Sequence, residues 1–374
     1  MTTRRAFSSR LYFKACCFVL FFVAASASFN GYYQKWHFGE AGVSGEDERF
    51  SFEAMVDGTA NRPWVYRQFL PACVNWLEWA APESFKTRLA NGPGFGANPL
   101  DDPFFDSATA ANPAYSFRYL LLYAATFLSA LLAVYAMYLV CEAVGTTRPA
   151  AFIAPIIVIL LVPYIESQGG YFYDYPELAF FALAAWVALR FDWGWIIPLA
   201  ALGTWNKESF LLFVPTLYPL LRQRRSRRGA WLAVGVLCFV CIAVHFPIRL
   251  AFAHNSGGAM ELHWRDQLQW LMQPRQLLFA TEKTYGTRAL KALTLIPMAL
   301  LAFAVWRGWS GLPRDLQRHA QIAAAINLPL YLLFCWPGEM RDLSLLYVVF
   351  LLVVASNLNE WFGTSAPASA PASG

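Results

Sequence analysis

Few side chains in this 374-residue chain could do chemistry, because only 14% are charged, and those that could come in short groups. Asp47 and Glu48 stand together near the start, followed by Arg62, Tyr66 and Arg67. Asp174 comes with Glu177, Lys207 with Asn206 and Glu208, and Arg341 with Glu339 and Asp342. A carboxylate can take the proton of a hydroxyl nucleophile, and Lys or Arg can neutralise a departing phosphate. Acids and bases of these types suit group transfer to a hydroxyl, provided the fold gathers clusters from five separate places in the chain.

The elements that must gather them are membrane helices. Hydrophobic residues make up 57% of the chain and aromatics 17%, whereas ordinary soluble domains are roughly a quarter charged. A water-soluble fold of this size would lack the polar surface to cover itself. Long apolar runs separated by short polar punctuation are the pattern a bilayer imposes on a helical bundle. The pattern predicts an all-α, polytopic transmembrane bundle of about ten spans: 15–29, 115–141, 150–165, 176–189, 193–202, 209–221, 230–248, 289–306, 320–336 and 343–358. Residues 1–14 form a basic amino-terminal segment, 15–362 the bundle, and the Ala/Pro/Ser stretch 363–374 a disordered tail. Two long outer segments, 30–114 and 249–288, interrupt the spans. The first is predicted to carry an interfacial helix over 65–80 that buries Val65, Phe69, Trp76 and Leu77, and the second a surface helix over 264–272.

Charge sets the orientation. Arg4, Arg5, Arg10 and Lys14 precede the first span, which keeps the amino terminus cytoplasmic. Alternation then makes the segments with Arg148, Arg190, the run 222–228 and the stretch 307–318 cytoplasmic too, and puts the carboxyl terminus on the same side. Those segments and the amino-terminal tail hold 14 Lys and Arg, whereas the three short outer turns hold two, Lys207 and Arg341; 20 of the 24 acidic residues fall outside. Positive residues inside and carboxylates outside predict a bacterial inner-membrane protein with both termini cytoplasmic. The hairpin over 193–221 is short: the ten residues 193–202 reach roughly 15 Å at about 1.5 Å each, half the hydrocarbon thickness. Its apex at Lys207 is therefore predicted to sit below the outer surface, lining a wet, protein-walled cavity.

The net charge of +5 does not indicate a nucleic-acid partner, since the basic residues lie between apolar runs and set topology. Six of the seven cysteines lie in or beside spans, so no disulfide framework is predicted, and Cys238-x-x-Cys241 inside a span reads as two small apolar residues. His254 and His263 have no obvious further ligands around them. A basic region, an apolar core and Ala25-Ser26-Ala27 also fit a cleavable leader.

Several short motifs resemble those of GT-C superfamily glycosyltransferases. Glu46-Asp47-Glu48-Arg49-Phe50-Ser51-Phe52-Glu53-Ala54 looks like the acidic, aromatic stretch on that superfamily's first outer loop, and Tyr173-Asp174-Tyr175-Pro176-Glu177 occupies the place of its second acidic site. Asn206-Lys207-Glu208-Ser209-Phe210, followed by Pro215, is similar to a Lys/Glu turn between helices. Arg62-Pro63-Trp64-Val65-Tyr66-Arg67-Gln68-Phe69-Leu70-Pro71 looks like a Tyr-Arg-x-Leu-x-Pro segment of bacterial members. The resemblance implies an inverting transferase that moves a sugar from a polyprenyl-phosphate donor, within the membrane lipid, to a glycan, lipid or protein acceptor on the outer face. It implies Asp47 as general base, and Glu48 and Asp174 as its backups or as ligands to a divalent cation, Mg or Mn. Arg67, Lys207 and Arg341 would clamp phosphate, with Arg62, Tyr66 and Glu208 beside them.

Other classes of function stay open. A transporter would carry charged residues near the bilayer midplane on broken helices, whereas the spans over 119–141 and 289–306 hold one charged group, Lys291, near an end. A non-catalytic envelope assembly protein, or a polysaccharide polymerase or ligase relying on outer Arg and His, would share the same topology.

Overall fold

In a computed structural model the chain is described over residues 2–40, 48–90, 104, 107–167, 169–258 and 262–364. The first helix, α1 (Thr2–Trp36), runs past the predicted end at 29 and stops where His37, Phe38 and Gly39 take positive φ, a conformation no right-handed helix continues through. The first outer segment carries the short helices α2 (Phe52–Val56), α3 (Phe69–Ala80), α4 (Glu83–Ala90) and α5 (Ala108–Ala111). Three long helices follow, α6 (Ser116–Ala143), α7 (Arg148–Ile165) and α8 (Asp174–Arg190). The short hairpin is α9 (Ile196–Asn206), α10 (Ser209–Phe213) and α11 (Tyr218–Arg222), and α12 (Arg227–Ala251) follows. Next come α13 (Trp264–Leu271), α14 (Pro274–Phe279) and an antiparallel hairpin of β1 (Thr281–Thr284) and β2 (Thr287–Leu290). The chain ends in α15 (Leu295–Trp309), α16 (Arg314–Phe334) and α17 (Tyr347–Thr364).

The architecture is predominantly helical, and among the described residues five stretches are long and apolar enough to cross a bilayer: Ala15–Gly39, Ser116–Ala143, Arg148–Ile165, Arg227–Ala251 and Met340–Gly363. Two shorter apolar helices span Ser209–Arg222 and Leu295–Trp309. Large apolar side chains such as Phe18, Leu232, Phe239 and Trp306 point outward, as lipid-facing surfaces do. Inside, α6 packs along α8 through small buried residues, Ala130, Ala133 and Ala136 on one helix and Ala182, Ala184 and Ala185 on the other. Small side chains let helix backbones approach closely where no water drives them together. α1 lies in the angle between α6 and α7, where its buried Phe21 stacks on Phe152 and meets Tyr135 edge-on, each with centroids 5.1 Å apart. Ala25 in the leader-like motif is fully buried within this continuous helix.

The interfacial helix begins later than predicted, and its buried face differs. Pro63 follows a cis peptide bond and a single 3-10 turn occupies Trp64–Tyr66, so the helix starts at Phe69. Val65 is buried in that turn and Phe69 half-buried, but Trp76 and Leu77 are exposed. The inward stripe is Leu70 and Val74, four residues apart, and Asn75 ties it to the Val56 carbonyl at 2.9 Å.

The second outer segment is fastened at both ends. At one end the Arg62 backbone N–H donates to Ser256 O (2.8 Å), its guanidinium to Gly257 O (2.6 Å), and the Asn255 amide to Gly58 O (2.9 Å). At the other, Lys35 pairs with Glu282 at 3.0 Å and the Tyr285 hydroxyl donates to Leu160 O at 2.7 Å. Between them α13 lies on the end of α16, through His263 N–H to Leu333 O (2.9 Å) and Gln267 to Cys335 O (3.0 Å).

Candidate functional site

The site is built on the loop that leads into α8. Gly170 lies so close to α1 that a Cβ there would stand 2.4 Å from the Trp36 ring, and Gly39 lies as close to Tyr171. The loop therefore lies flat on the end of α1. Tyr32 of α1 fixes it, donating to Asp174 Oδ2 at 2.7 Å, while the Tyr171 N–H donates to the same oxygen at 2.9 Å. Tyr171 and Tyr173 then stack nearly parallel, with centroids 5.3 Å apart. The Arg67 guanidinium lies 4.5 Å from the Tyr173 ring and Arg341 4.7 Å from the Tyr171 ring. Cations held against aromatic faces are attracted by the ring quadrupole. Both guanidiniums also donate to the Tyr173 hydroxyl oxygen, Arg341 at 3.2 Å. Burial pushes the Tyr173 phenol up to about 12 even though Arg67 and Arg341 favour its ionised form.

Lys207 stands at the apex of the short hairpin. Its ammonium donates to Glu177 Oε2 at 2.9 Å and lies 3.4 Å from Asp342 Oδ1 and 3.9 Å from Asp174 Oδ1. Burial alone would lower its pKa, but the Glu177, Asp342 and Asp174 carboxylates outweigh burial and hold it above the ordinary amine value. Glu177 is saturated, since its other oxygen accepts from Ser209 and from Ser344, the latter at 2.7 Å. Arg341 binds Glu339 at 2.6 Å and Arg67 binds Glu208 at 3.3 Å. Asn206 and Asn327 anchor the surrounding backbone, the first to Tyr173 O (2.9 Å) and the second to Asp342 O (2.7 Å).

These groups meet at a cavity of about 410 Å³. Tyr66, Arg67, Lys207, Glu208 and Arg341, all singled out in the sequence, line it together with Asp342. Of the carboxylates, Glu208 and Asp342 face the opening, their side chains 34% and 24% exposed, whereas Asp174 is 4% exposed and sits behind Lys207. Burial acts against ionisation of Glu208, but Arg67 prevails and holds its carboxyl below the ordinary range. Its Oε2 has no hydrogen-bond partner among the described residues. Arg62 stands apart from the lining, engaged with Gly257. Asp47 lies outside the described residues, and of Glu48 only the backbone is described, at the start of a 3-10 turn.

Sequence reasoning did not single out Glu166. It follows directly on α7, is 1% exposed, and neither carboxyl oxygen has a hydrogen-bond partner among the described residues. Burial, then the Asp174 carboxylate, pushes it well above the ordinary value of 4.5 despite Arg341 and Lys207. A carboxyl with a raised folded pKa binds more protons folded than unfolded, so its stabilising contribution is complete below that ordinary value and is lost as pH rises toward the folded one. Glu166→Gln, which stays neutral, should therefore match the parent near pH 4 and exceed it in stability increasingly above, by up to ~1.4 kcal/mol per pH unit. Thermal unfolding of both proteins across pH 4–8 checks this, and parallel curves would contradict it.

Among the described residues, no group of three or more His, Cys, Asp and Glu side chains is arranged to hold a metal ion. The carboxylates that converge, Asp174, Glu177 and Asp342, do so on the Lys207 ammonium. Comparison with models of protein families, with curated proteins and with solved structures returns no match.

Proposed function

We propose that the protein is a glycosyltransferase of the bacterial inner membrane, with about ten spans and cytoplasmic termini, that moves a sugar from a polyprenyl-phosphate donor to an acceptor on the outer face. The observation that carries this reading is the meeting of three buried cations, Arg67, Lys207 and Arg341, on one cavity whose opening also presents ionised carboxylates. Two guanidinium forks and an ammonium suit a phosphate leaving group, each charge-assisted contact contributing about 1.5–3 kcal/mol. The carboxylate placed to take the acceptor's proton, among the described residues, is Glu208, which lines the cavity with its side chain 34% exposed. Asp47 and Glu48 remain the candidates that the resemblance supplies for the same role. Lys207 at the short α9–α10 apex is buried in protein, as a charged group set below a membrane surface must be.

The test uses the full-length protein reconstituted in phosphatidylcholine vesicles. Polyprenyl phosphate is expected to bind at least about tenfold more tightly than the uncharged polyprenol of the same length, and polyprenyl-phosphate sugars to release polyprenyl phosphate when an acceptor is present. Equal affinity for phosphate and alcohol would end the proposal.

A further inference from the structure

A second cavity, of about 650 Å³, opens at the far end of the same helices. Arg227 at the start of α12 and Arg318 near the start of α16 line it, with Arg222, Tyr218, Trp231 and Asp315. The functional cavity takes its lining from the other ends of these helices, Arg249 of α12 and Phe334 of α16. The 22 steps from Arg227 to Arg249, at about 1.5 Å each, come to roughly 33 Å, close to the ~30 Å hydrocarbon thickness. The two cavities thus stand about one bilayer apart.

The second cavity has a chemistry of its own. Its lining holds three arginines and one acidic residue, Asp315, and Arg222 spends one nitrogen on Arg225 O at 2.9 Å. Its wall is aromatic: Trp231 packs against Tyr218 with centroids 4.5 Å apart and remains 54% exposed. Below Trp231 the residues of α12 at helical spacing are Gly235, Phe239, Ile242 and Phe246. The three large ones are more than half exposed, and space beside Gly235 is open. An arginine-rich recess that continues into a bare apolar stripe matches a molecule with an anionic head and a hydrocarbon tail.

We propose that this recess binds the phosphate headgroup of an anionic phospholipid from the leaflet opposite the functional cavity, with its acyl chain along the Trp231–Phe246 stripe of α12. The three arginines hold the phosphate oxygens, Trp231 seats at the interface, and the stripe distinguishes a lipid from free phosphate. The inference rests on membrane embedding and is independent of the sugar-transfer reading.

The experiment is native mass spectrometry of the full chain in neutral detergent, titrated separately with phosphatidylglycerol, phosphatidylcholine and inorganic phosphate. Phosphatidylglycerol should be retained saturably and phosphatidylcholine not. Arg222→Gln/Arg227→Gln/Arg318→Gln should weaken retention on the order of 100-fold, whereas Arg224→Gln/Arg228→Gln, outside the recess, should leave it unchanged. Asp315→Asn, which removes the one opposing charge, should tighten retention by roughly fivefold and decides the matter if the triple variant does not fold. Retention indifferent to both the triple and the Asp315 changes overturns the site. Binding of inorganic phosphate without retention of phosphatidylglycerol overturns the lipid.

Discussion

Lys207→Met is expected to lower the unfolding free energy by about 3–5 kcal/mol, because it takes the ammonium from Glu177 and Asp342 in a buried pocket and leaves Asp174 with Arg341 alone, at 3.7 Å. The penalty is that of uncompensated charge, so it should shrink when the nearest carboxylate is also neutralised. Lys207→Met/Glu177→Gln should recover a substantial part, and the coupling between the two changes should exceed about 1 kcal/mol. Denaturant titration of the four proteins of the cycle in one detergent measures this. A single-variant loss below about 1 kcal/mol would show that Lys207 is not the counterion of this cluster.

Arg341→Lys is expected to cost most of the phosphate affinity. The lysine keeps the charge near Glu339 but cannot reproduce the planar fork that reaches Glu339 and the Tyr173 hydroxyl at once while lying over Tyr171. Losing one charge-assisted contact of about 1.5–3 kcal/mol should weaken polyprenyl-phosphate binding by roughly tenfold to 100-fold. Binding of the uncharged alcohol should not change. If both ligands weaken alike, Arg341 shapes the cavity and does not meet the phosphate.

Where the sequence was legible, charge stood against an apolar background. Lys207 and Glu208 were conspicuous because the limbs on either side are too short to lift them clear of a bilayer, and the structure places Lys207 in the wall of a cavity. Arg67, Tyr66 and Arg341 were found by type and by the side of the membrane their segments should occupy. Tyr171 and Glu166 were not, because a tyrosine or a glutamate beside a span end looks like ordinary interfacial punctuation. Only the contact of that loop with the end of α1 makes them part of the site. The β-hairpin was missed as well, although Tyr285-Gly286 takes the two consecutive positive φ values of a tight primed turn between threonines. An apolar stretch that follows directly drew the predicted span back to 289, inside the second strand. The orientation of α3 failed for a different reason: the turn at Trp64–Tyr66 takes Val65 out of the helix, and the stripe that packs inward is Leu70 and Val74, which leaves Trp76 and Leu77 exposed.

The double fastening of the second outer segment bears on how anything reaches the cavity. A flap hinged at one end could swing aside, but this segment is stitched to the first outer segment through Arg62 and Asn255 and to α1 and α7 through Glu282 and Tyr285, with α13 strung between. It is pinned at both ends, and Arg249 and His263 from it line the cavity. Entry to the cavity, which His245 of α12 and Leu330 of α16 also line, is then not controlled by a hinge at one end of this segment.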